Sequence, residues 1–340
     1  MPPLDPSRIM QTATAFWPSK VLLTAVEFQL FTVLGPRSMT GAELQAALGL
    51  HPRGTFDFLD ALVALKFLDR DGDGPDGRYR NTPETALFLD RASPACIGGL
   101  PEMLNSRLFG FWNDLGTALK TGQPQNETRD GGPGVFETLY ADEARLQQFL
   151  DAMTGFQAGN FTRLAEAFDF SRFERLTDVG GALALLSRIV ARHHPQIRCT
   201  SFDLPVVAPL AAKAIAAAGL DGRITSVGGD FFREPLPKAD VVTMGNILHD
   251  WNLAKKKQLI AKAFEALPEG GALIAIENLI DDARRDNAFG LLMSLNMLIE
   301  FGDAFDYTGR EFRDWCTEAG FTRFEIIPLL GPTSAAIAWK

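Results

Sequence analysis

Among the four histidines of this 340-residue chain, His249 stands apart because of what surrounds it. The run Gly245-Asn246-Ile247-Leu248-His249-Asp250-Trp251-Asn252 follows Asp240 to Met244, an apolar stretch that reads as a strand. A histidine just past a central strand end is in the right place for general-base work. His51, His193 and His194 read instead as surface or helix-end residues. A lone histidine is usually structural, so His249 needs partners. Glu277, closing the stretch Leu273-Ile274-Ala275-Ile276, is expected to emerge beside it at the same sheet edge. A carboxylate there would orient the imidazole and stabilise its protonated form. Asp250 is a second candidate, although it could equally cap the helix containing Lys255-Lys256-Lys257, a run that reads as a solvated helix face.

A second constellation lies upstream. Leu176-Thr177-Asp178-Val179 reads as a buried strand running into Gly180-Gly181 and then into the apolar helix that contains Leu183, Leu185 and Leu186. Two glycines there let the backbone approach a ligand, and the helix start offers free N–H groups. One helix later, Cys199 to Leu204 reads as a strand closing on Asp203, where doubly wound folds place the acid that takes ribose hydroxyls. Gly228-Gly229-Asp230-Phe231-Phe232 follows the third strand; Asp230 could accept from an adenine amine while Phe231 supplies an apolar face. A dinucleotide would need a Gly-x-Gly-x-x-Gly turn for its pyrophosphate, and the run here is Gly180-Gly181-Ala182-Leu183-Ala184. A nucleoside without phosphates fits better, and S-adenosylmethionine is the common one.

The elements that must position these groups alternate. Strands are expected at 175–179, 198–202, 223–227, 240–244 and 271–276 with helices between them, and 322–328 and 334–339 read as a closing pair. This is an α/β pattern, a mostly parallel sheet with helices on both faces. The N-terminal third differs. A helix is expected from Ile9 to Leu34, a second after the cap Thr40 with Glu43 three residues on, and a third from Arg53 to Phe67. Asp71 to Gly77 then reads as the turn of a hairpin, which makes a winged helix. Its candidate recognition helix carries one arginine, Arg53, against Asp57 and Asp60, a poor reader of a major groove, so a structural or dimer-forming role is expected. Between Ile97 and Phe170 the chain is again helical, broken by the polar loop 122–134. Trp112, Phe136, Phe149 and Met153 there are either ordinary core or the lining of a pocket for a flat substrate.

With 46% hydrophobic residues the chain can bury a sizeable core, and its net charge of −9 disfavours nucleic acid or an anionic membrane as partner. Cys96, Cys199 and Cys316 are far apart and lack metal-ligand spacing; with no export signal or membrane-length apolar run, a cytoplasmic protein with reduced thiols and no metal site is expected.

The order Asp178-Val179-Gly180-Gly181, Phe202-Asp203-Leu204-Pro205, Gly229-Asp230-Phe231-Phe232, Leu248-His249-Asp250-Trp251, Glu277 and Leu295-Asn296-Met297-Leu298 resembles the class I S-adenosylmethionine-dependent O-methyltransferases of the caffeate, acetylserotonin and hydroxyneurosporene type, across nearly the whole chain. The resemblance implies a Rossmann-like doubly wound methyltransferase domain at 166–340, a winged-helix dimerisation domain at 1–100 that forms a homodimer, and connecting helices at 101–165 that line the substrate pocket. It implies a secondary-metabolic enzyme moving a methyl group to a hydroxyl of a small aromatic molecule. His249 would be the base, with Glu277 and Asp306 orienting it and Asp250 beside it. Asp178, Gly180, Gly181, Asp203, Leu204, Gly229, Asp230, Phe231, Gly245, Asn246 and Trp251 would hold the cofactor; Asn296, Met297, Met153, Phe149 and Trp112 would face the acceptor. Two features depart from the family's pattern. Ala182 and Ala184 replace glycines, each expected to add a methyl where the methionine moiety lies, and Gly245 stands where a cofactor-contacting Lys or Arg is common. The alternatives are carbon methylation, perhaps with a metal on His249, for which Asn296 is a poor second ligand, and a non-catalytic winged-helix regulator.

Overall fold

The computed structural model describes residues 4–129 and 143–340; Phe136 and most of the second half of the 122–134 loop lie outside them. The chain divides into two compact units, Met1–Gly110 and Phe111–Lys340.

In the first unit the expected helix over 9–34 is three helices, Ser7–Ala13, Phe16–Glu27 and Leu30–Leu34. The second break falls at Gln29, which takes a left-handed conformation with φ 54°. The turn lets Leu30, Phe31 and Leu34 enter the core beside Ala25, Leu44, Leu59 and Tyr79, while Ile9, Met10, Phe16 and Trp17 stay exposed. A continuous helix could not divide its apolar residues in this way. Gly41–Leu48 begins with the expected capping box, Glu43 N donating to Thr40 Oγ1 at 3.2 Å and Thr40 N to Glu43 Oε2 at 2.7 Å. The third helix is Pro52–Ala64, on which Arg53 pairs with Asp57. Strands β1 (Met39–Thr40), β2 (Leu68–Asp71) and β3 (Arg78–Asn81) form an antiparallel sheet in the order β1-β3-β2, completing the winged helix.

The second unit holds a seven-stranded sheet built from β4 (Arg175–Val179), β5 (Arg198–Asp203), β6 (Ile224–Gly228), β7 (Val241–Gly245), β8 (Ala272–Glu277), β9 (Arg323–Pro328) and β10 (Ser334–Trp339). The order is β6-β5-β4-β7-β8-β10-β9; the first five are parallel and β10 runs antiparallel to both neighbours. Because side chains alternate along a strand, β8 feeds two cores. Ala272, Ile274 and Ile276 pack with Leu176, Val190 and Ile197 on one face, Leu273 and Ala275 with Leu259, Ile260 and Trp315 on the other. This burial on both faces is why the strand reads as one unbroken apolar run. The strand order reverses between β4 and β7, and in doubly wound sheets the crevice at that switch point takes the ligand. Among the described residues no helix is long and apolar enough to cross a membrane.

Candidate active site

The glycine turn after β4 is built from left-handed residues: Gly180 at φ 68°, Ala182 at 47° and Ala184 at 56°. Gly180 and Gly181 are required first by packing. A Cβ on Gly180 would stand 2.1 Å from Ile247 Cδ1, and one on Gly181 would stand 2.3 Å from Ser201 Oγ. Beneath the turn Asp178 is buried, accepting from Thr243 Oγ1 at 3.0 Å and Ser187 Oγ at 3.2 Å. Burial lifts its carboxyl to about 7 despite those two bonds. Asp203, at the end of β5, ties the turn from the other side: its carboxylate accepts from Ala182 N at 2.8 Å and Leu204 N at 2.7 Å. Burial raises its proton affinity, and the two backbone donors oppose that rise.

These residues border a cavity of about 350 Å³. Of the expected cofactor residues, Asp178, Gly180, Gly181, Asp203, Leu204, Asp230, Phe231, Gly245, Asn246 and Trp251 line it, and Gly229 does not. Gly229 is needed for packing, since its Cβ would lie 2.5 Å from the Phe202 ring. Ala182 lines the cavity, but Ala184 is fully buried in the core, so only one of the two added methyls meets the ligand space. Gly245 has a packing reason as well: Phe161 fills the adjacent space, 3.1 Å from a hypothetical Cβ. Phe231, Phe232 and Trp251 meet edge to face, with centroids 4.7 to 6.0 Å apart. A buried acid, a close-approach glycine turn and an aromatic wall in one cavity fit a nucleoside.

His249 sits in the 3₁₀ turn Leu248–Asp250 and is 5% exposed. Its Nδ1 faces Asp306 Oδ1 at 3.4 Å and Glu277 Oε2 at 3.9 Å, and its Nε2 faces Asp250 Oδ1 at 3.3 Å. Glu277 Oε1 also accepts from the backbone of Leu248 at 3.1 Å and His249 at 3.4 Å, which fixes the turn against β8. Of these four groups only Asp250 lines the cavity. Burial opposes charge on the imidazole, but Glu277, Asp250 and Asp306 outweigh it and raise its proton affinity to about 10. Burial in turn lifts Glu277 to about 7 and Asp250 to about 6.

Two sequence expectations need correction here. Asp250 does not cap the following helix, Leu253–Ala266; the Asn252 side chain does, accepting from Lys255 N at 3.1 Å. The lysine run is not one solvated face either, because Lys256 is wholly buried. Its spacing places it on the inward stripe with Leu259, Ile260 and Ala263.

Among the expected acceptor residues, Phe149 and Met153 line the cavity, whereas Asn296 Oδ1 accepts from Trp112 Nε1 at 2.9 Å and Met297 is buried. Sequence reasoning missed Gln157, Phe161 and Ile247, which also line the cavity. Gln157 Nε2 donates to Asn246 Oδ1, and Asn246 is held at φ 54°. Asn246 just after a strand was the one available signal, since asparagine tolerates that conformation.

The fold and this cavity define an S-adenosylmethionine-dependent methyltransferase. The chain belongs to the O-methyltransferase family: residues 112–322 match its O-methyltransferase domain and residues 10–91 its dimerisation domain. It is 39% identical to the tetracenomycin polyketide synthesis 8-O-methyl transferase TcmO of Streptomyces glaucescens, over 98% of this chain and 97% of that one. It is 36% identical to the N,N-dimethyltransferase OxyT of Streptomyces rimosus, over 92% and 90%. Human N-acetylserotonin methyltransferase, solved in complex with S-adenosylmethionine, superposes with a TM-score of 0.91 at 28% identity, covering 100% of this chain and 99% of that one. The protein is therefore an O-methyltransferase of small molecules that uses S-adenosylmethionine.

Proposed function

We propose that the acceptor is a phenolic hydroxyl of a small aromatic molecule and that His249 removes its proton. The observation that carries this reading is the histidine at the sheet's switch point, with carboxylates of Glu277, Asp306 and Asp250 within 3.9 Å of its nitrogens. A phenol loses its proton near pH 10, whereas an alkyl alcohol holds it far more tightly. Burial opposes charge on the imidazole while Glu277, Asp250 and Asp306 raise its proton affinity, so the neutral imidazole is the form that reacts and a phenol's proton, once taken, is held. The product imidazolium is then stabilised in place by Glu277 and Asp306.

S-adenosylmethionine, when bound, supplies an electrophilic sulfonium methyl group. Asp203 is suited to the ribose hydroxyls, Asp230, Phe231 and Trp251 to the adenine, and Gly180 and Gly181 with Asp178 beneath them to the methionine moiety. Phe149 and Met153 give the acceptor an apolar wall, and the Trp112–Asn296 pair, with Met297 beside Asn296 in the chain, is assigned to the acceptor side by the resemblance to the family. The rate gain comes from aligning acceptor oxygen and methyl carbon and from base removal of the proton. Residues 1–100 act as a homodimerisation domain, supported by the exposed Ile9, Met10, Phe16 and Trp17 and by the dimerisation-domain match; 166–340 is the catalytic domain, and within 101–165 the helix Glu143–Ala167 contributes to the pocket wall. A cytoplasmic enzyme without nucleic-acid or membrane partners is the consistent setting.

The test is an acceptor panel of phenols, aryl amines and enolisable diketones on matched ring systems, with the site of the new methyl read by NMR. New O–CH₃ signals on phenols alone support the reading. Methylation confined to nitrogen or carbon would overturn it.

A further inference from the structure

Lys256 is a charged side chain where the fold has every reason to place an apolar one. It lies on the inward stripe of Leu253–Ala266 with no exposure. Its Nζ donates to the backbone oxygen of Trp251 and to that of Phe305 at 2.8 Å, and sits 3.9 Å from the Phe305 ring centroid. Burying an ammonium costs several kcal/mol unless charges and hydrogen bonds compensate it. A methionine would fill similar volume without that cost.

The compensation comes from the active site. The two carbonyls belong to the segments that carry its acids: Trp251 follows His249 and Asp250, and Phe305 precedes Asp306. Burial lowers the proton affinity of the Lys256 amine to about 8, and the charges of Glu277, Asp306, Asp250 and Asp303 oppose a deeper fall, so the side chain stays an ammonium at neutral pH. Three of these four carboxylates are the ones that surround His249.

We propose that Lys256 is a positioning residue for methyl transfer, its ammonium tying the His249 turn to the Asp306 segment and supplying the countercharge to the carboxylates around His249. The inference rests on the reading of His249 as the base. Without a cation, the carboxylates would hold the proton on the imidazole more tightly still, leaving a smaller share of the neutral imidazole that can accept another. The groups facing His249 are Asp250 on its own turn, Glu277 from the end of β8 and Asp306 from the segment after the helix Ala288–Phe301. Lys256 acts on them from the helix Leu253–Ala266, and the buried Tyr307 hydroxyl also lies in the field of Glu277 and Asp306.

The experiment compares wild type with Lys256→Met and Lys256→Gln, the second keeping a donor for the carbonyls without the charge. The measurements are kcat against pH, acceptor KM, S-adenosylmethionine Kd and melting temperature. Loss of the cation is expected to move the acid limb of the kcat profile up by about one pH unit or more. At pH 7 this is roughly a tenfold loss of kcat, with cofactor Kd within about twofold. Gln is expected to keep more of the melting temperature than Met but to show the same pH displacement. Wild-type kcat and an unmoved acid limb in both variants would overturn the proposal, as would failure of both to fold, which would make the lysine purely structural. His249→Ala is measured alongside. If it stays active, the base reading fails and this inference with it. If it is inactive while both Lys256 variants behave as wild type, this inference alone fails.

Discussion

The two alanines of the glycine turn make a paired prediction, because the same substitution meets different surroundings at each. Ala182 and Ala184 both have positive φ, at 47° and 56°. A Cβ in the left-handed region costs roughly 1 to 2 kcal/mol, which glycine would relieve. Glycine gives back about 0.4 to 1 kcal/mol through the added freedom of the unfolded chain. At Ala182, which lines the cavity, these two effects leave Ala182→Gly stabilised by roughly 0 to 1.6 kcal/mol. At Ala184 a third effect enters, since its methyl is fully buried among the core residues of the first sheet face. Losing it costs about 0.8 kcal/mol, plus a cavity contribution from incomplete relaxation. Ala184→Gly is therefore expected to be destabilised by about 1 kcal/mol relative to Ala182→Gly, or about 2 to 4 °C in melting temperature for a unit of this size. Affinity should divide the opposite way. Calorimetric titration with S-adenosylmethionine should show severalfold tighter binding for Ala182→Gly and no change for Ala184→Gly, because only the first methyl borders the ligand space. A larger affinity change at Ala184 than at Ala182 would show that the Ala182 methyl does not border the bound cofactor, and equal melting temperatures would show that the Ala184 methyl adds nothing to the core.

Gly181→Ala places a Cβ 2.3 Å from Ser201 Oγ and 3.2 Å from the Asp178 carbonyl, so the turn must shift; cofactor binding weakened by at least tenfold is the expected calorimetric result, and wild-type affinity would contradict it. Asp178 is raised by burial from 3.8 to about 7, so its ionisation disfavours the fold. A raised folded value gives stability that is present below the unfolded value and lost as pH rises through the folded one, here between about pH 4 and 7. Denaturant melts at pH 4 and pH 8 should therefore shift in favour of Asp178→Asn relative to wild type by on the order of 4 kcal/mol over that window, and a pH-independent difference would exclude the effect. Trp112→Phe removes the indole donor to Asn296 and should raise acceptor KM severalfold with cofactor Kd unmoved; unchanged KM would remove this pair from the acceptor side.

The sheet was legible because its signal is local. The parallel strands β7 and β8 are nearly unbroken apolar runs, β4 to β6 mix apolar with Thr and Ser residues between turns and helices, and β4 to β10 begin and end within one residue of their expected limits. The chemistry at the strand ends followed, since Asp203, Asn246 and Glu277 are placed by the strands that precede them. What was not legible depends on packing between distant segments. Gln29 breaks the first helix because the core below it needs Leu30 and Phe31 turned inward. Lys256 looked like one of three solvated lysines, and only the approach of Phe305 and Asp306 from 49 and 50 positions away makes its burial tenable. Gly245 read as a lost cation site, whereas Phe161 from the helix Glu143–Ala167 occupies the space. Periodicity could not assign Phe149, Met153 and Phe161 to a cavity wall rather than to core, because both demand the same residue types at the same spacing.

The most direct test of the account is single-turnover methyl transfer to a phenolic acceptor by wild type and His249→Ala, with S-adenosylmethionine affinity of both measured by calorimetry. His249 lies outside the cavity lining, so cofactor Kd is predicted to stay within about twofold, while loss of the base is predicted to slow transfer by about 10² to 10⁴ at pH 7.5. A transfer rate within tenfold of wild type, with the cofactor bound normally, would contradict the assignment of His249 as the group that takes the acceptor's proton.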